Sequence, residues 1–239
     1  MRIALIGYGK MGKAIEAIGT EDGHEVVVLK IDLDNANELA YENLKRCDVA
    51  IEFTTPDNAV NNIIQCFDAG VPVVCGTTGW LAKLEEVKQI CKQKNGTFLT
   101  TSNFSIGVNI FFEINNYAAT LMSPHKEYDV HIEETHHTQK KDSPSGTAIT
   151  LAELILEKAS TKNKWVNTAA GNDYDLEIIS KRIDPAAGIH KVTYTSSVDD
   201  IEIIHTTHNR QGFAKGALLA AEFIKDKKGI YTMKDVLGF

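Results

Sequence analysis

The sequence has little that would mark a secreted, metal-stapled or membrane-spanning protein. Its four cysteines (Cys47, Cys66, Cys75 and Cys91) all fall near the start of the chain and form neither a C-x-x-C pair nor a zinc-ligand spacing. They read as buried free thiols in a reducing compartment. No apolar run approaches the ~18 residues of a membrane span. Nor does a basic n-region or cleavage site precede the strand-like Met1-Arg2-Ile3-Ala4-Leu5-Ile6, so a chain starting at Met1 in the cytoplasm is expected. Positive charge is also scarce: 25 basic residues face 32 acidic ones, a net of -7, and no Lys/Arg cluster has the density of a nucleic-acid footprint. Internal repeats, low-complexity stretches and a recognisable linker are likewise missing.

What remains is an ordinary globular composition. With 239 residues, 43% apolar and 24% charged, the chain buries a sizeable core without disulfides or structural metal and holds one or two domains. Up to Thr100, short apolar runs alternate with helical periodicity, the pattern of βαβ units and a parallel sheet covered on both faces. Strands are predicted at Arg2 to Ile6, Glu25 to Ile31, Val49 to Phe53, Val71 to Cys75 and Thr97 to Thr100. Helices are predicted at Met11 to Ile18, Asn35 to Arg46, Asn58 to Ala69 and Leu81 to Lys94.

After Ser102 the pattern changes. A long helix from Ile106 to Met122 leads to an alternating strand through Tyr128, Val130 and Ile132, then to a turn-rich segment and a helix from Thr147 to Ala159. Strand-like runs at Leu176 to Ile183, His190 to Ser197 and Ile201 to Thr207 follow without intervening helices, which argues for an antiparallel or mixed sheet. A helix from Gln211 to Lys225 and a short turn around Met233 to Leu237 close the chain. The predicted class is α/β: a parallel-sheet domain first, then a second domain with a mixed or antiparallel sheet, with boundaries near 105 and 210.

Gly7-Tyr8-Gly9-Lys10-Met11-Gly12 is G-x-G-x-x-G directly after the first strand and opening the first helix. The first glycine permits the tight turn, the second admits a pyrophosphate to the backbone and the third lets helix and strand approach. Asp32 follows at the end of the second strand, at the interval from the glycine motif where an acid receives ribose hydroxyls. The alternative is a set of merely glycine-rich turns, and Asp34 is a second candidate for the acid. An acid there repels a 2'-phosphate, which favours NADH over NADPH, while Lys10 and Lys30 pull the other way. Gly76-Thr77-Thr78-Gly79 and Phe53-Thr54-Thr55-Pro56 end the fourth and third strands at the same sheet edge, where ligands sit in open α/β folds.

Seven of eight histidines follow residue 124, which places the chemistry in the second domain. Residues 133–148 concentrate His136, His137, Lys140 and Lys141 ahead of a helix start. No H-E-x-x-H is present, and adjacent His136 and His137 at a strand end point to opposite faces, so no metal site is expected. The segment suits an anionic substrate. Pro144 and Ser145 are first-turn residues, leaving the N–H groups of Gly146 and Thr147 for a carboxylate. Lys140 offers a point charge and a proton, and His136 a general acid or base. The plain alternative is a solvated polar loop with a capped helix. His205 and His208 are expected to face opposite ways on one strand, Trp80 and Trp165 to anchor core or loops, and Arg210 to serve a structural role.

These residues resemble one family, dihydrodipicolinate reductase, also called 4-hydroxy-tetrahydrodipicolinate reductase. Its E-x-H-H-x-x-K-x-D-x-P-S-G-T-A signature is matched by Glu134, His136, His137, Lys140, Asp142, Pro144, Ser145, Gly146, Thr147 and Ala148. Supporting matches are the glycine motif, Phe53-Thr54-x-Pro56, Gly76 to Gly79, Asn103-Phe104-Ser105-x-Gly107-x-Asn109 and Met233-x-Asp235-Val236-Leu237-Gly238. The resemblance implies a Rossmann-type parallel sheet domain built from residues 1–105 and 210–239, with an inserted α+β domain for substrate binding and oligomerisation at residues 106–209. It also implies cofactor contacts from Gly7 to Gly12, at Asp32, at Gly76, Thr77 and Thr78, and at Thr101, Ser102, Asn103 and Phe104. It implies that His136 is a proton donor or acceptor, Lys140 a proton donor and His137 a substrate contact, with Gly146 and Thr147 holding a substrate carboxylate. The implied reaction is NAD(P)H-dependent reduction of a cyclic dicarboxylate in lysine and diaminopimelate biosynthesis, by a homotetramer joined through the second domain's sheet. The chain departs from many members in its shorter length, a shorter glycine loop, and Thr138-Gln139 in place of a more basic pair. Two rivals are an amino-acid or semialdehyde dehydrogenase and a non-enzymatic nucleotide sensor. The absence of cysteine from the second domain counts against a thiol-acyl route, and the His136 and Lys140 pair against a sensor.

Overall fold

The computed structural model describes residues 1–29, 41–209 and 211–239. They divide into two compact units, one of Met1–Ile106 with Gln211–Phe239 and one of Gly107–Arg210.

The first unit is a six-stranded sheet in the order β11-β5-β4-β3-β1-β2. Its strands are β1 (Arg2–Ile6), β2 (Glu25–Leu29), β3 (Val49–Glu52), β4 (Val73–Cys75), β5 (Thr97–Thr100) and β11 (Gly229–Tyr231), and every pairing is parallel. The period-2 geometry of a strand sends successive residues to opposite faces, and here both faces are apolar. Ile3 and Leu5 of β1 join Val74 and Leu99 under α1 (Lys10–Glu21), α7 (Gln211–Ile224) and α8 (Met233–Leu237). Ala4 and Ile6 join Val73 and Phe98 under α2 (Tyr41–Leu44), α3 (Pro56–Asp68) and α4 (Leu84–Gln93). Strand order reverses at β1, which has β2 on one side and β3 on the other, so its carboxyl end is the topological switch point. α7 seats against the backbone because residue 216 is glycine: a Cβ there would lie 1.8 Å from the Phe104 carbonyl oxygen.

The second unit is a five-stranded sheet, β10-β9-β6-β8-β7. β6 (Asp129–His136), β9 (Ile189–Thr195) and β10 (Asp200–Thr206) pair antiparallel, whereas β8 (Asp175–Arg182) runs parallel to β6 and to β7 (Lys164–Val166), so the sheet is mixed. One face, with Val130, Ile132, Ile178, Val192 and Tyr194, is covered by α5 (Ile106–Met122) and α6 (Gly146–Leu156). The opposite face is polar: Lys181, Glu133, Lys191 and Glu202 form ion pairs across β8, β6, β9 and β10.

Several expectations are corrected. The Leu81 to Lys94 segment splits into a 3₁₀ turn at Leu81–Lys83 and α4. β7 and β11 are not among the predicted strands, because segments so short display no period. The closing segment at Met233–Leu237 is a helix, fixed by a capping box between Thr232 and Asp235. Ser145 is the N-cap of α6 rather than part of its first turn, and Pro144 lies outside the helix. His208 lies beyond the end of β10, so it shares no strand with His205. Ile31, Asp32, Asp34, the Asn35 to Ala40 part of the second predicted helix, and Arg210 lie outside the described residues.

Candidate active site

In the first unit the loops after β1, β3 and β4 meet around Phe53 and Thr54. Gly7 sits at φ +95°, and a Cβ there would lie 2.1 Å from the Phe53 carbonyl oxygen. At Gly76 a Cβ would lie 2.1 Å from the Phe53 ring. Thr77 receives the Thr54 amide on its hydroxyl at 2.8 Å, and the Phe104 ring lies 5.8 Å from that of Phe53. Beneath these loops the fully buried Glu52, last residue of β3, accepts from Thr54 Oγ1, from Asn62 Nδ2 at 3.3 Å and from Cys75 Sγ at 3.0 Å. Burial, with the charge of Glu52 adding to it, pushes the Cys75 thiol well above its ordinary range.

The residues fit a dinucleotide. Gly9 is the N-cap of α1 without a side-chain cap, and a Cβ on it would meet nothing within 4 Å, so a phosphate has an open approach to the helix start. Lys10 is exposed, and Tyr8 and Met11 are half-buried, Tyr8 giving its hydroxyl to Glu16. A Cβ at Gly12 would lie 2.4 Å from the Gly7 carbonyl oxygen. Thr78 and Ser102 are exposed at the carboxyl edge, and Thr101 Oγ1 and Asn103 close a tight turn leading to buried Phe104.

In the second unit the predicted residues cluster at the end of β6. His136 is its last residue and is buried, while His137 is half-buried just beyond it. His136 Nδ1 contacts the carboxylate of Glu134, which is fully shielded from solvent. The other Glu134 oxygen lies 2.9 Å from Nη2 of Arg182 on β8. Burial alone would raise the Glu134 carboxyl, but hydrogen bonds from His136, Ser180 and Arg182 outweigh it and hold the group at about 2. The carboxylate is therefore ionised, and Nδ1–H of His136 is the donor.

Lys140 Nζ holds both oxygens of Asp142 at 2.8 Å. Burial raises the Asp142 carboxyl, but the bond and charge from Lys140 outweigh this and keep it below its usual range. Arg182 reaches this loop too, with Nη2 donating to the Asp142 carbonyl at 2.7 Å. Gly146 and Thr147 are the first two residues of α6, and Ser145 caps the helix by accepting from the Ala148 amide at 3.2 Å. Ser145 Oγ also lies 3.1 Å from Nε2 of buried His190, whose ring stands edge-on to His136 at 5.1 Å. Burial, then the charge of His136, depress the His190 imidazole to about 3, so it stays neutral. Thr138, at the position where the family pattern is more basic, binds Asp184 through its amide at 3.1 Å and its hydroxyl at 2.6 Å. Glu134, His136 and His190 bring possible metal-ligand atoms within 4.8 Å of one another. Within this trio Glu134 is paired with Arg182 and bonded to His136, while His190 turns its Nε2 to Ser145 and meets His136 only ring edge to ring.

Matches to known proteins agree with this layout. Residues 1–104 match the model for the N-terminus of dihydrodipicolinate reductase, and residues 107–237 the model for its C-terminus. This chain belongs to the dihydrodipicolinate reductase family. It is 50% identical to the 4-hydroxy-tetrahydrodipicolinate reductase of Christiangramia forsetii, over all of this chain and 98% of that protein. It is 38% identical to the reductase of the same name from Methanosarcina acetivorans, over 94% of this chain and 87% of that one. Among solved structures, the dipicolinate-bound dihydrodipicolinate reductase from Paenisporosarcina sp. TG-14 is similar with a TM-score of 0.78 and 25% identity, over 97% of each chain. The dihydrodipicolinate reductase N-terminal region carries the nucleotide-binding Rossmann fold seen here. Sequence reasoning missed Arg182 and His190 because nothing in the local pattern marks either, and it assigned no role to Glu134 although that residue opens the signature.

Proposed function

We propose that this chain is a 4-hydroxy-tetrahydrodipicolinate reductase, converting the cyclic dicarboxylate to tetrahydrodipicolinate in lysine and diaminopimelate biosynthesis. The observation that carries the reading is the segment from Glu134 to Ala148, which sets two imidazoles and two ammonium groups ahead of the start of α6. The Rossmann unit takes NADH or NADPH through Gly7 to Gly12, Gly76 to Thr78 and Thr101 to Phe104, with Asp32 on the ribose and NADH preferred. When bound, the reduced nicotinamide supplies the hydride.

The second unit's own residues then bind the substrate and move the proton. The N-terminus of α6, at Gly146 and Thr147, holds one carboxylate through backbone amides and the helix dipole. His137 contacts the substrate and Lys141 adds positive charge. Loss of the 4-hydroxyl as water gives the conjugated dihydrodipicolinate ring, hydride addition to that ring leaves an enamine that must be protonated, and Lys140 delivers that proton while His136 orients or relays it. Four copies assemble through the sheet of the second unit and act in the cytoplasm.

The test is oxidation of NADH and NADPH by the purified protein, with the substrate formed in situ from pyruvate and aspartate semialdehyde. Rapid substrate-dependent oxidation is expected, faster with NADH. No oxidation with either, although both bind, would leave the fold and cofactor site standing and remove the substrate. Asp32→Ala should weaken NADH relative to NADPH, and an unchanged ratio would move the ribose role elsewhere. Sedimentation of a monomer at micromolar concentration would rule out the tetramer.

A further inference from the structure

Among the described residues, Arg182 is the side chain that touches the supports of both proposed proton carriers. Its Nη2 lies 2.9 Å from Glu134 Oε1 and 2.7 Å from the carbonyl of Asp142, and its Nη1 donates to the Lys181 carbonyl at 2.8 Å. Glu134, pinned on one oxygen by Arg182, meets His136 Nδ1 with the other. Asp142, whose backbone Arg182 holds, grips Lys140 Nζ with both carboxylate oxygens. One guanidinium therefore ties the strand that carries His136 to the loop that carries Lys140.

We propose that Arg182 and Glu134 are a positioning pair for the reductase reaction, fixing the tautomer and orientation of His136 and, through Asp142, the seat of Lys140. The proposal rests on the function given above. An imidazole has two near-equal neutral tautomers, and a carboxylate accepting from Nδ1–H selects the one that leaves the lone pair on Nε2. Glu134 can play this part without swinging because it is buried and the Arg182 guanidinium lies in ion-pair contact with its second oxygen. Arg182 does more than neutralise Glu134, since a point charge could do that. Its Nη2 meets both the Glu134 carboxylate and the Asp142 carbonyl while Nη1 is held by the Lys181 carbonyl, a fixed planar arrangement that lysine cannot reproduce.

Substitution at 134 has a definite consequence. In Glu134→Gln, Arg182 claims the amide oxygen, so the amide nitrogen turns its protons toward His136 Nδ1. Nδ1 must then accept, and the proton moves to Nε2. The tautomer reverses in a side chain of nearly unchanged shape.

The decisive experiment combines long-range 1H–15N correlation spectra of 15N-histidine protein with steady-state kinetics. His136 resonances are assigned by difference against His136→Gln. In the wild type the Nδ1–H tautomer is expected, and in Glu134→Gln the Nε2–H tautomer. Turnover in Glu134→Gln and Arg182→Gln should fall on the order of 100-fold, with KM for the cofactor essentially unchanged, as loss of transition-state geometry rather than of binding requires. Arg182→Lys should recover part of that loss. A wild-type Nε2–H tautomer overturns the proposal, whatever the variants do and whether or not they fold. So does a folded Glu134→Gln that turns over at the wild-type rate or keeps the Nδ1–H form. A wild type that binds cofactor but never oxidises it sinks the reductase function instead, and the spectra still decide the pair.

Discussion

Two glutamates among the described residues are fully shielded from solvent, and they are shielded in opposite ways. Glu52, at the end of β3, is surrounded by neutral donors: a threonine hydroxyl, an asparagine amide and a cysteine thiol. Glu134, in β6, faces an arginine and a histidine. The first ties the loop after β3 to α3 and to β4 with no ion pair among the described residues, which suits a brace. The second has its charge matched and one oxygen committed to an imidazole, which suits orientation of a proton carrier. Burial of a carboxylate therefore says little about its role until its partners are named, because desolvation costs alike in both sites and only the partners differ.

The comparison can be broken most forcefully from the catalytic side. Lys140→Ala should lower turnover on the order of 100-fold or more while cofactor affinity and the thermal midpoint barely move, since a partly exposed ion pair contributes little stability. Retained turnover would remove Lys140 from the reaction. Glu52→Gln should do the reverse, costing about 1–3 kcal/mol in denaturant unfolding because the amide turns a donor on donors, with turnover changed far less. A variant as stable as the wild type would show that the three donors do not require a carboxylate.

Acid sharpens the contrast further. Glu134 has a folded value of about 2 against an ordinary 4.5, so its stabilisation is complete above 4.5 and disappears as the pH falls toward 2. His190 is depressed from 6.5 to about 3, and the unfolded state again binds the extra proton, so stability also declines as the pH drops from 6.5 toward 3. Each group contributes a slope of at most about 1.4 kcal/mol per pH unit. Unfolding of Glu134→Gln should be flatter than wild type between pH 4.5 and about 2, and parallel curves would refute the assignment. The smallest effect concerns the thiols. All four cysteines are buried, and burial raises each, so none should react with a thiol reagent until the protein is unfolded. Rapid labelling of the native protein would contradict their packing.

How far the sequence could be read depended on how local each feature is. The glycine loop, the long helix at Ile106–Met122 and the cluster from His136 to Thr147 are contiguous, and their periodicity or motif is complete within a short window. Strands β7 and β11 exist because a neighbour supplies the hydrogen bonds, and such short segments carry no pattern of their own. Arg182 is remote from Glu134 along the chain, and only the parallel register of β6 and β8, which pairs His136 with Arg182, brings them together. The mixed sheet is expected from strands without helices between them, but which pair runs parallel is not readable. The role of Ser145 as cap rather than helical residue turns on a backbone angle that composition does not report.

The placement of α7 and β11 has a consequence for the order in which the chain can become itself during synthesis. Met1–Ile106 leaves the ribosome lacking the edge strand that pairs with β5 and the helix that covers Ile3, Leu5 and Leu99. The second unit, drawn from one uninterrupted stretch, has all its strands as soon as Arg210 emerges. Domains fold as units once their sequence is available. The unit that begins first is thus the one that finishes last, and until Gln211–Phe239 arrives its half-built sheet keeps an apolar face open to whatever meets it.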